Sequence, residues 1–235
     1  MKTLRTTIIF IVLIGVVLMA PAFSMAQQLS VAERVAALKA NVVSSQAKLR
    51  QYQWIQNTVV SVNGEVKYRN QERCYYGADG NIAKVILNQT APPPDRRGLI
   101  GRIEEKKREE MTDYMKSAVS LIRQYVPPDP AKLQAAKDSG NVSIQLLEPG
   151  KLACLTFSNY LKSGDSLALN IDLVFNTPVA ATVNTSDSQN NPVTLSVNFA
   201  ALNDGTTYPA SAVLNAPNKG LSVSLQDSGY LKMVQ

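Results

Sequence analysis

The segment RCYYGADGN places Cys74 beside Arg73 and two tyrosines, a setting in which a thiol could act as a nucleophile. A cysteine becomes reactive when a neighbouring base or cation lowers its pKa. The chain contains no histidine, which excludes Ser-His-Asp and Cys-His catalysis and zinc sites built on imidazole. Arg73 alone is a weak reason to expect a reactive thiol. We therefore expect no catalytic residue, no cofactor and no metal site, and we expect that the protein is not an enzyme.

Residues 1–26 have the three-part layout of a secretory signal. A basic start with Lys2 and Arg5 precedes the apolar run TIIFIVLIGVVLMA, and the small residues Ser24 and Ala26 have the spacing that signal peptidase reads. An uncleaved membrane anchor is the alternative, although the apolar run is shorter than the roughly 20 residues that a spanning helix needs. The sequence thus predicts a secreted or periplasmic protein, with cleavage near Ala26.

The two cysteines of the chain can form only one disulfide with each other. Cys74 lies in a predicted early strand, and Cys154 lies in the segment LACLTF of a predicted late strand. Because a secretory route exposes thiols to an oxidising compartment, we predict a Cys74–Cys154 disulfide that joins the two halves of the chain. Two free thiols are the alternative.

The first element after the signal is predicted to be an amphipathic helix of about 20 residues. Ser30 and Glu33 have the spacing of a capping box. Apolar residues then recur at helical intervals, at Val31, Val35, Leu38, Val42 and Leu49. Such a stripe is typical of a helix that packs on a sheet.

Two groups of predicted strands flank a helical insert. YQWIQNTVVSV, EVKYRNQERCYY and IAKVIL are predicted to form a meander with tight turns at Asn63-Gly64 and at ADGN. Three consecutive prolines within residues 89–98 end this meander, and a helix begins near Leu99 with a charged, solvated first half and an apolar, buried second half. Seven further segments, from VSIQLLE to LSVSLQDSGYLKM, are separated by turns and predict antiparallel strands.

This order of elements predicts an α+β protein. We expect one strongly curved antiparallel sheet of about ten strands, an unclosed barrel, whose concave face is covered by the N-terminal helix and the inserted helix. Residues 27–235 would form a single domain, with the helical insert at about 95–138.

The same order of elements resembles the LolA/LolB lipoprotein-carrier superfamily. The most similar part is the run NNPVTLSVNFAALNDGTTYPASAVLNAPNKGLSVSLQDSGY, in which a strand, a short loop, a proline-containing strand and a final strand follow one another. The segment YQWIQNTVVSVNGEVKYRNQERCYYGADGN is also similar to a group of uncharacterised secreted bacterial proteins. The resemblance implies an unclosed barrel that is lidded by helices and holds acyl chains. It transfers no functional residue, because no arginine of the carriers aligns with Arg69, Arg73 or Arg102.

A cavity for acyl chains would need an apolar floor and an adaptable apolar cover. Six residues of the first strand and the inserted helix are predicted to line it: Trp54, Val60, Val62, Met111, Tyr114 and Met115. Methionine suits a cover because its flexible thioether adapts to chains of varied shape. The alternative is that all six are ordinary core residues.

The densest basic cluster surrounds the start of the inserted helix. Its members are Arg96, Arg97, Arg102 and Lys106, followed by Lys107 and Arg108. Such a patch could bind anionic lipid headgroups or an acidic partner. A solvated helix face is the alternative, because four glutamates are interleaved with the basic residues.

Two functions follow from these observations. The first is an extracytoplasmic carrier or binding protein for a lipid or another hydrophobic ligand, whose partner is an apolar ligand or an acyl chain. The alternative is an interaction or structural module of the cell envelope that has no ligand cavity and contacts an envelope protein or a membrane surface. Nucleic acid is not an expected partner, because the tyrosines of the early strands (Tyr52, Tyr68, Tyr75 and Tyr76) lack an interleaved basic groove.

Overall fold

The computed structural model describes residues 31–90 and 99–233, and the described part contains three α-helices, one short 3-10 helix and ten strands. In chain order these are α1 (Val31–Leu49), β1 (Tyr52–Val62), β2 (Glu65–Tyr76), β3 (Ile82–Gln89), α2 (Leu99–Ile122), α3 (Pro130–Asp138), β4 (Val142–Glu148), β5 (Leu152–Ser158), β6 (Ser166–Asp172), β7 (Thr177–Ser186), β8 (Pro192–Ala201), β9 (Thr207–Ala216), the 3-10 helix (Pro217–Lys219) and β10 (Leu221–Lys232). The predicted signal peptide lies outside the described residues.

All ten strands form one sheet in the order β3-β2-β1-β10-β9-β8-β7-β6-β5-β4. Every pair of neighbouring strands in it is antiparallel. The strands β3 and β4 are its two edges, so the sheet is not closed. The predicted α+β class, with a curved and unclosed antiparallel sheet, is confirmed.

One face of the sheet carries the core. Because side chains two positions apart on a strand share a face, residues opposite each other on neighbouring strands form rows across the sheet. One row consists of apolar residues on eight adjacent strands, in the order Val60, Val223, Leu214, Leu195, Val183, Leu167, Phe157 and Val142. A slip of one residue in any strand would turn its apolar side chains to the other face, so this row fixes the register.

The second half of α2 packs on this core face. Ala118 and Ile122 are buried in the core cluster, whereas residues 102–110 are exposed. The predicted change from a solvated to a buried half is therefore confirmed. In the sequence, apolar residues continue at helical spacing to Tyr125, but α2 ends at Ile122. Pro127 explains the earlier end, because the residue before a proline avoids the helical conformation.

A buried polar contact holds the end of α2 on the sheet. The hydroxyl of Tyr125, a fully buried residue, donates to Asp165 Oδ2 at 2.6 Å and lies 2.8 Å from Thr185 Oγ1. Asp165 also accepts hydrogen bonds from the backbone N–H groups of Leu161 and Lys162. Burial, together with the hydrogen bond to Asp165, raises the pKa of Tyr125 far above its usual value. The phenol therefore stays neutral and acts as a donor to the carboxylate.

The helix α1 packs across β7 and β9 at one rim of the sheet. Asn41 Nδ2 donates to the carbonyl oxygens of Phe175 and Asn176 at 2.9 and 3.0 Å. Ser45 Oγ accepts a hydrogen bond of 3.0 Å from the backbone N–H of Thr207. These contacts connect α1 to the turn between β6 and β7 and to the start of β9.

The predicted apolar stripe of α1 is partly visible in its burial. Leu49 is buried, and Leu38 and Val42 are half-buried, whereas the side chains of Val31 and Val35 lie outside the described part. Of the helices in residues 31–90 and 99–233, none is long and apolar enough to cross a membrane.

The turn between β1 and β2 has the predicted conformation. Asn63 and Gly64 have positive φ values of 52° and 80°, as a two-residue type I′ turn requires. The turn lies against Gly220, where a Cβ atom would come within 2.0 Å of Asn63 Oδ1. A glycine at position 220 thus allows the two hairpin ends to approach each other.

The predicted Cys74–Cys154 disulfide is corrected by the structure, in which both cysteines are free. Cys74 lies in β2 and Cys154 lies in β5, and six strands separate β2 from β5 in the sheet. A disulfide needs Cα atoms within about 7 Å of each other, and strands in those positions are not neighbours. The prediction failed because the helical insert connects opposite edges of the sheet, an arrangement that the spacing of the two cysteines does not reveal.

Candidate functional site

A half-open pocket of about 220 Å³ lies where β1, β2, β9, β10 and the start of β3 meet the end of α1. Most of its wall is apolar and includes Leu49, Trp54, Tyr76, Ile82, Leu225 and Tyr230. Gln56 of β1 and Asp227 of β10 also line it and stand opposite each other in the sheet, and Ser211 of β9 is a further polar residue of the lining. The pocket, called the Trp54 pocket below, therefore combines apolar walls with a small polar floor.

A β-bulge in β10 brings Tyr230 onto Trp54. Between the paired positions on either side of Trp54, β10 has one residue more than β1, so both Gly229 and Tyr230 stand opposite Trp54. Gly229 has a φ of 63°, a conformation that favours glycine and is common in bulges. The rings of Trp54 and Tyr230 stack as a result, with 5.6 Å between centroids and 10° between planes.

Three more tyrosines extend this aromatic stack. The ring centroid of Tyr76 lies 5.7 Å from that of Trp54, and the centroids of Tyr208 and Tyr52 lie 4.3 and 6.4 Å from that of Tyr230. Burial is the main cause that raises the pKa of both Tyr230 and Tyr76, so both phenols are neutral at physiological pH. Mutually packed aromatic rings form a firm wall with few accessible rotamers.

Trp54 carries a polar group without a partner. The residue is 5% exposed, and its indole Nε1–H has no hydrogen-bond acceptor among the described residues. A buried donor that lacks an acceptor costs about 1–3 kcal/mol, and buried indoles usually find one. Because Trp54 lines the pocket, an oxygen of a bound molecule is a suitable acceptor.

A chain of polar side chains begins at the floor of the pocket, with Asp227 of β10 and Gln56 of β1, and continues to Lys84 of β3, which does not line the pocket. Gln56 Nε2 donates to Asp227 Oδ1 at 2.9 Å, and Lys84 Nζ donates to Gln56 Oε1 at 2.6 Å. Lys84 also forms an ion pair with Glu72 at 3.0 Å, whereas Asp227 has no direct ion pair within the described part of the chain. Burial raises the pKa of Asp227, and the hydrogen bond from Gln56 and the charge of Lys84 oppose this rise.

Trp54 alone of the six predicted ligand-site residues lines this pocket. The other five are partly buried and pack against the central core cluster: Val60, Val62, Met111, Tyr114 and Met115. The Tyr114 hydroxyl donates to Asp187 Oδ2 at 3.2 Å, and Lys219 Nζ lies 5.4 Å from the centroid of its ring. A role of these five residues in ligand binding stays a prediction.

Only part of the predicted basic patch lies within the described residues. Arg102 and Lys106 are exposed on the first half of α2, whereas Arg96 and Arg97 lie outside the described part. A role of this patch in binding lipid headgroups or an acidic partner stays a prediction.

Asp227 and Tyr230 belong to the lining residues of the pocket that were not predicted as site residues. A signal for Asp227 is present in the sequence of β10, where Leu221, Val223 and Leu225 alternate on the core face and Asp227 takes the next position. A carboxylate that continues a row of apolar residues indicates a polar group on the buried face of the sheet, which is uncommon. No comparable signal exists for Tyr230, because the bulge that redirects it depends on pairing with β1.

No protein-family model matches the chain, and no curated protein matches it in sequence. Several solved structures are similar to it at low identity. A DUF1329 family protein from Desulfovibrio piger has 11% identity and a TM-score of 0.38, over 85% of this chain and 93% of that one. A LolA superfamily protein from Nitrosomonas europaea has 11% identity and a TM-score of 0.33, over 83% and 94%.

A third similar structure is a domain of the outer-membrane lipoprotein-sorting type from Vibrio parahaemolyticus, with 11% identity and a TM-score of 0.34 over 86% of this chain and 94% of that one. The similar structures thus include the superfamily that the sequence resembles. At these TM-scores the similarity says nothing about ligands.

Proposed function

We propose that the protein is an extracytoplasmic binding protein for a ligand with an apolar part, which it holds in the Trp54 pocket. The observation that carries this proposal is the combination of apolar walls with an unpartnered buried donor, the indole N–H of Trp54. Pockets for small molecules have this character, with apolar surfaces and a few polar groups that fix orientation.

The free energy of binding would come from two sources. Apolar surface that leaves water on binding contributes roughly 25 cal/mol per Å². An acceptor on the ligand would also satisfy the N–H of Trp54, whose lack of a partner costs about 1–3 kcal/mol. Both contributions need a ligand that is mainly apolar and carries at least one polar atom, which is the definition of an amphiphile.

The size of the pocket limits the part of the ligand that it can hold. Its volume of about 220 Å³ is smaller than the roughly 300–1,000 Å³ of pockets that enclose a drug-sized molecule. The pocket is open on one side, so a longer amphiphile can place one end inside and leave the rest at the surface. The aromatic rings restrict adaptation of the wall, because they pack on each other.

Trp54 provides a direct assay, because it is the only tryptophan of the chain. Titration with decanol, decanoate and decylammonium, below their micelle concentrations, should shift the emission of Trp54 for at least one of the three. Ala210→Phe places a ring in the pocket lining, and it should weaken that binding by at least about tenfold. Ala201→Phe, at an exposed position of β8, is the matched control and should bind as the wild type does.

The proposal fails if none of the three amphiphiles changes the emission of Trp54. It also fails if Ala210→Phe binds as tightly as Ala201→Phe, since binding would then occur outside the pocket. Circular dichroism of both variants shows whether each has retained the fold, so that loss of binding is not confused with unfolding.

The exposed edges of the sheet favour a second candidate function, which is interaction with an envelope protein. On β3, Ile86 and Leu87 are 58% and 50% exposed, and on β4, Leu146 and Leu147 are 59% and 42% exposed. Open edge strands with apolar side chains can pair with a strand of another chain. A photo-crosslinker at Leu87 should then give one discrete adduct in envelope extracts, and the same crosslinker at exposed Val43 of α1 should give none.

A further inference from the structure

We infer that the Trp54 pocket selects the positively charged end of an amphiphile, with an alkylammonium group beside Asp227. The inference deepens the proposed function and rests on it, because it assigns the chemical class of the ligand that the pocket holds. Four observations support it: the unpaired carboxylate, the aromatic wall, the position of the nearby cations and the free indole donor.

The carboxylate of Asp227 is the first observation. It lines the pocket, and Gln56 donates to its Oδ1 atom, while a hydrogen bond to Oδ2 is absent within residues 31–90 and 99–233. The nearby Lys84 contacts Gln56 and Glu72 instead. A partly buried carboxylate without an ion pair is unfavourable, and burial accordingly raises the pKa of Asp227. A cation from solution would relieve this cost.

The aromatic wall is the second observation. Trp54, Tyr76 and Tyr230 line the same pocket as Asp227. The charge of Asp227 also contributes to the raised pKa values of both tyrosines. Ammonium groups bind to the negative faces of aromatic rings, and sites for organic cations commonly combine such rings with a carboxylate.

The position of the neighbouring cations argues against an anionic ligand. Lys84 already contacts Glu72 and Gln56, so its charge is largely compensated. Arg50 lies next to the turn at Gly80 and lowers the pKa of Tyr76 through its charge, but it is exposed and does not line the pocket. A carboxylate or sulfate group inside the pocket would therefore approach the negative charge of Asp227 without a cation to bind it.

The unpartnered Nε1–H of Trp54 is the fourth observation, and it narrows the ligand further. An ammonium group alone would satisfy Asp227 and would leave this donor without an acceptor. An ammonium group with an oxygen a few bonds away, as in an amino alcohol or an ethanolamine ester, would satisfy both side chains. We therefore expect such headgroups to bind more tightly than a simple alkylammonium of the same chain length.

The experiment compares amphiphiles that share a ten-carbon chain and differ only in charge. Decylammonium, decanol and decanoate are titrated against the full chain, with Trp54 emission and calorimetry as readouts. The wild type should bind decylammonium at least about tenfold more tightly than the other two. Asp227→Asn should reduce this preference to less than about twofold. Asp187→Asn, which changes a carboxylate near Tyr114 of α2, is the control and should keep the preference.

The outcomes separate the two proposals. If decanol or decanoate binds as tightly as decylammonium, or if Asp227→Asn keeps the preference, the inference is overturned while the proposed function stands. If no amphiphile binds, both are overturned. If Asp227→Asn lowers the affinity for all three amphiphiles equally, the residue supports the pocket without selecting charge, and the inference is again overturned.

The pH dependence gives an independent readout. Decylammonium remains charged below neutral pH, and protonation of Asp227 would remove its partner. Affinity should therefore fall as the pH is lowered through the raised pKa of Asp227, which lies above 3.8. Asp227→Asn should remove this dependence of affinity on pH. Other charged or titratable groups surround the site, namely Arg50, Glu72, Cys74, Tyr76, Lys84 and Tyr230. A fall that persists unchanged in Asp227→Asn would contradict the assignment.

Discussion

Replacement of Tyr125 with phenylalanine removes one hydroxyl group from the junction between the helical insert and the sheet. The ring can keep its packing, because only the oxygen atom is lost from this fully buried side chain. The change removes the hydroxyl group that donates to Asp165 Oδ2 at 2.6 Å and contacts Thr185 Oγ1 at 2.8 Å. Asp165 retains the backbone N–H groups of Leu161 and Lys162, so its charge is not left without donors.

The size of the effect follows from the type of contact. A hydrogen bond to a charged group contributes about 1.5–3 kcal/mol, and one between neutral groups contributes about 0.5–1.5 kcal/mol. Since the remaining donors of Asp165 offset part of the loss, we expect Tyr125→Phe to lower the free energy of unfolding by about 2 kcal/mol. The double variant with Asp165→Asn should show less than the sum of the two single effects, because the two groups interact directly.

Urea denaturation followed by circular dichroism measures this difference. The dependence of the free energy on urea concentration should stay unchanged, because both proteins expose the same surface on unfolding. Tyr114→Phe is the matched control. The Tyr114 hydroxyl also donates to a carboxylate, Asp187, but at 3.2 Å and in a partly buried contact, so water can replace this hydrogen bond and the loss should be less than about 1 kcal/mol. The reasoning would be refuted if Tyr125→Phe and Tyr114→Phe lowered the free energy of unfolding equally. It would also be refuted if the effects of Tyr125→Phe and Asp165→Asn were strictly additive.

Three further predictions concern the backbone, the acid range and the thiols. Gly220→Ala should destabilise the protein more than Gly150→Ala in thermal unfolding. Both glycines have positive φ values, but of the two only a Cβ at position 220 meets other atoms within 4 Å. Equal losses of stability would contradict this prediction. Hydrogen bonding to Thr206, whose backbone N–H donates to Asp204 Oδ1 at 3.0 Å, lowers the pKa of Asp204 from 3.8 to about 2, so the stabilising contribution of Asp204 is present above pH 3.8 and is lost as the pH falls toward 2. Asp204→Asn should therefore flatten the dependence of stability on pH in that range, and an unchanged slope would count against this assignment. In denaturant, a thiol reagent should modify both cysteines, and fewer than two reactive thiols would show a disulfide. In the native protein, Cys74 should react more slowly than Cys154, because Cys74 is buried and burial raises its pKa.

The local elements of the fold could be predicted because each has a local cause. Asn63 and Gly64 specify a two-residue turn with positive φ values, and alternation in segments such as β6 and β8 identifies the face that each strand buries. The proline-rich residues 89–98 mark the end of the first meander in the same way. These signals act within a few residues, so a single sequence contains them in full.

The order of the strands could not be predicted, because alternation identifies the buried face of a strand and not its neighbours. Nothing in β1 or β10 alone indicates that Tyr52 pairs with Lys232. The Trp54 pocket depends on this pairing, since Trp54 lies in β1 and Asp227 and Tyr230 lie in β10 or its bulge. Of the residues in the candidate site, only Trp54 was therefore predicted, because its residue type alone suggested a role in a binding pocket.

The position of β10 has a consequence for the way the chain reaches its native state. Among the ten strands in the described residues, β10 is the last in sequence, yet it lies between β1 and β9. Without it, β3-β2-β1 would be a three-stranded sheet, separate from the six strands β9 to β4. Contacts between such distant segments form slowly, so the two groups stay unjoined until β10 has been synthesised and has found both neighbours. A chain that has to cross a membrane before it folds would remain competent for transport during that interval.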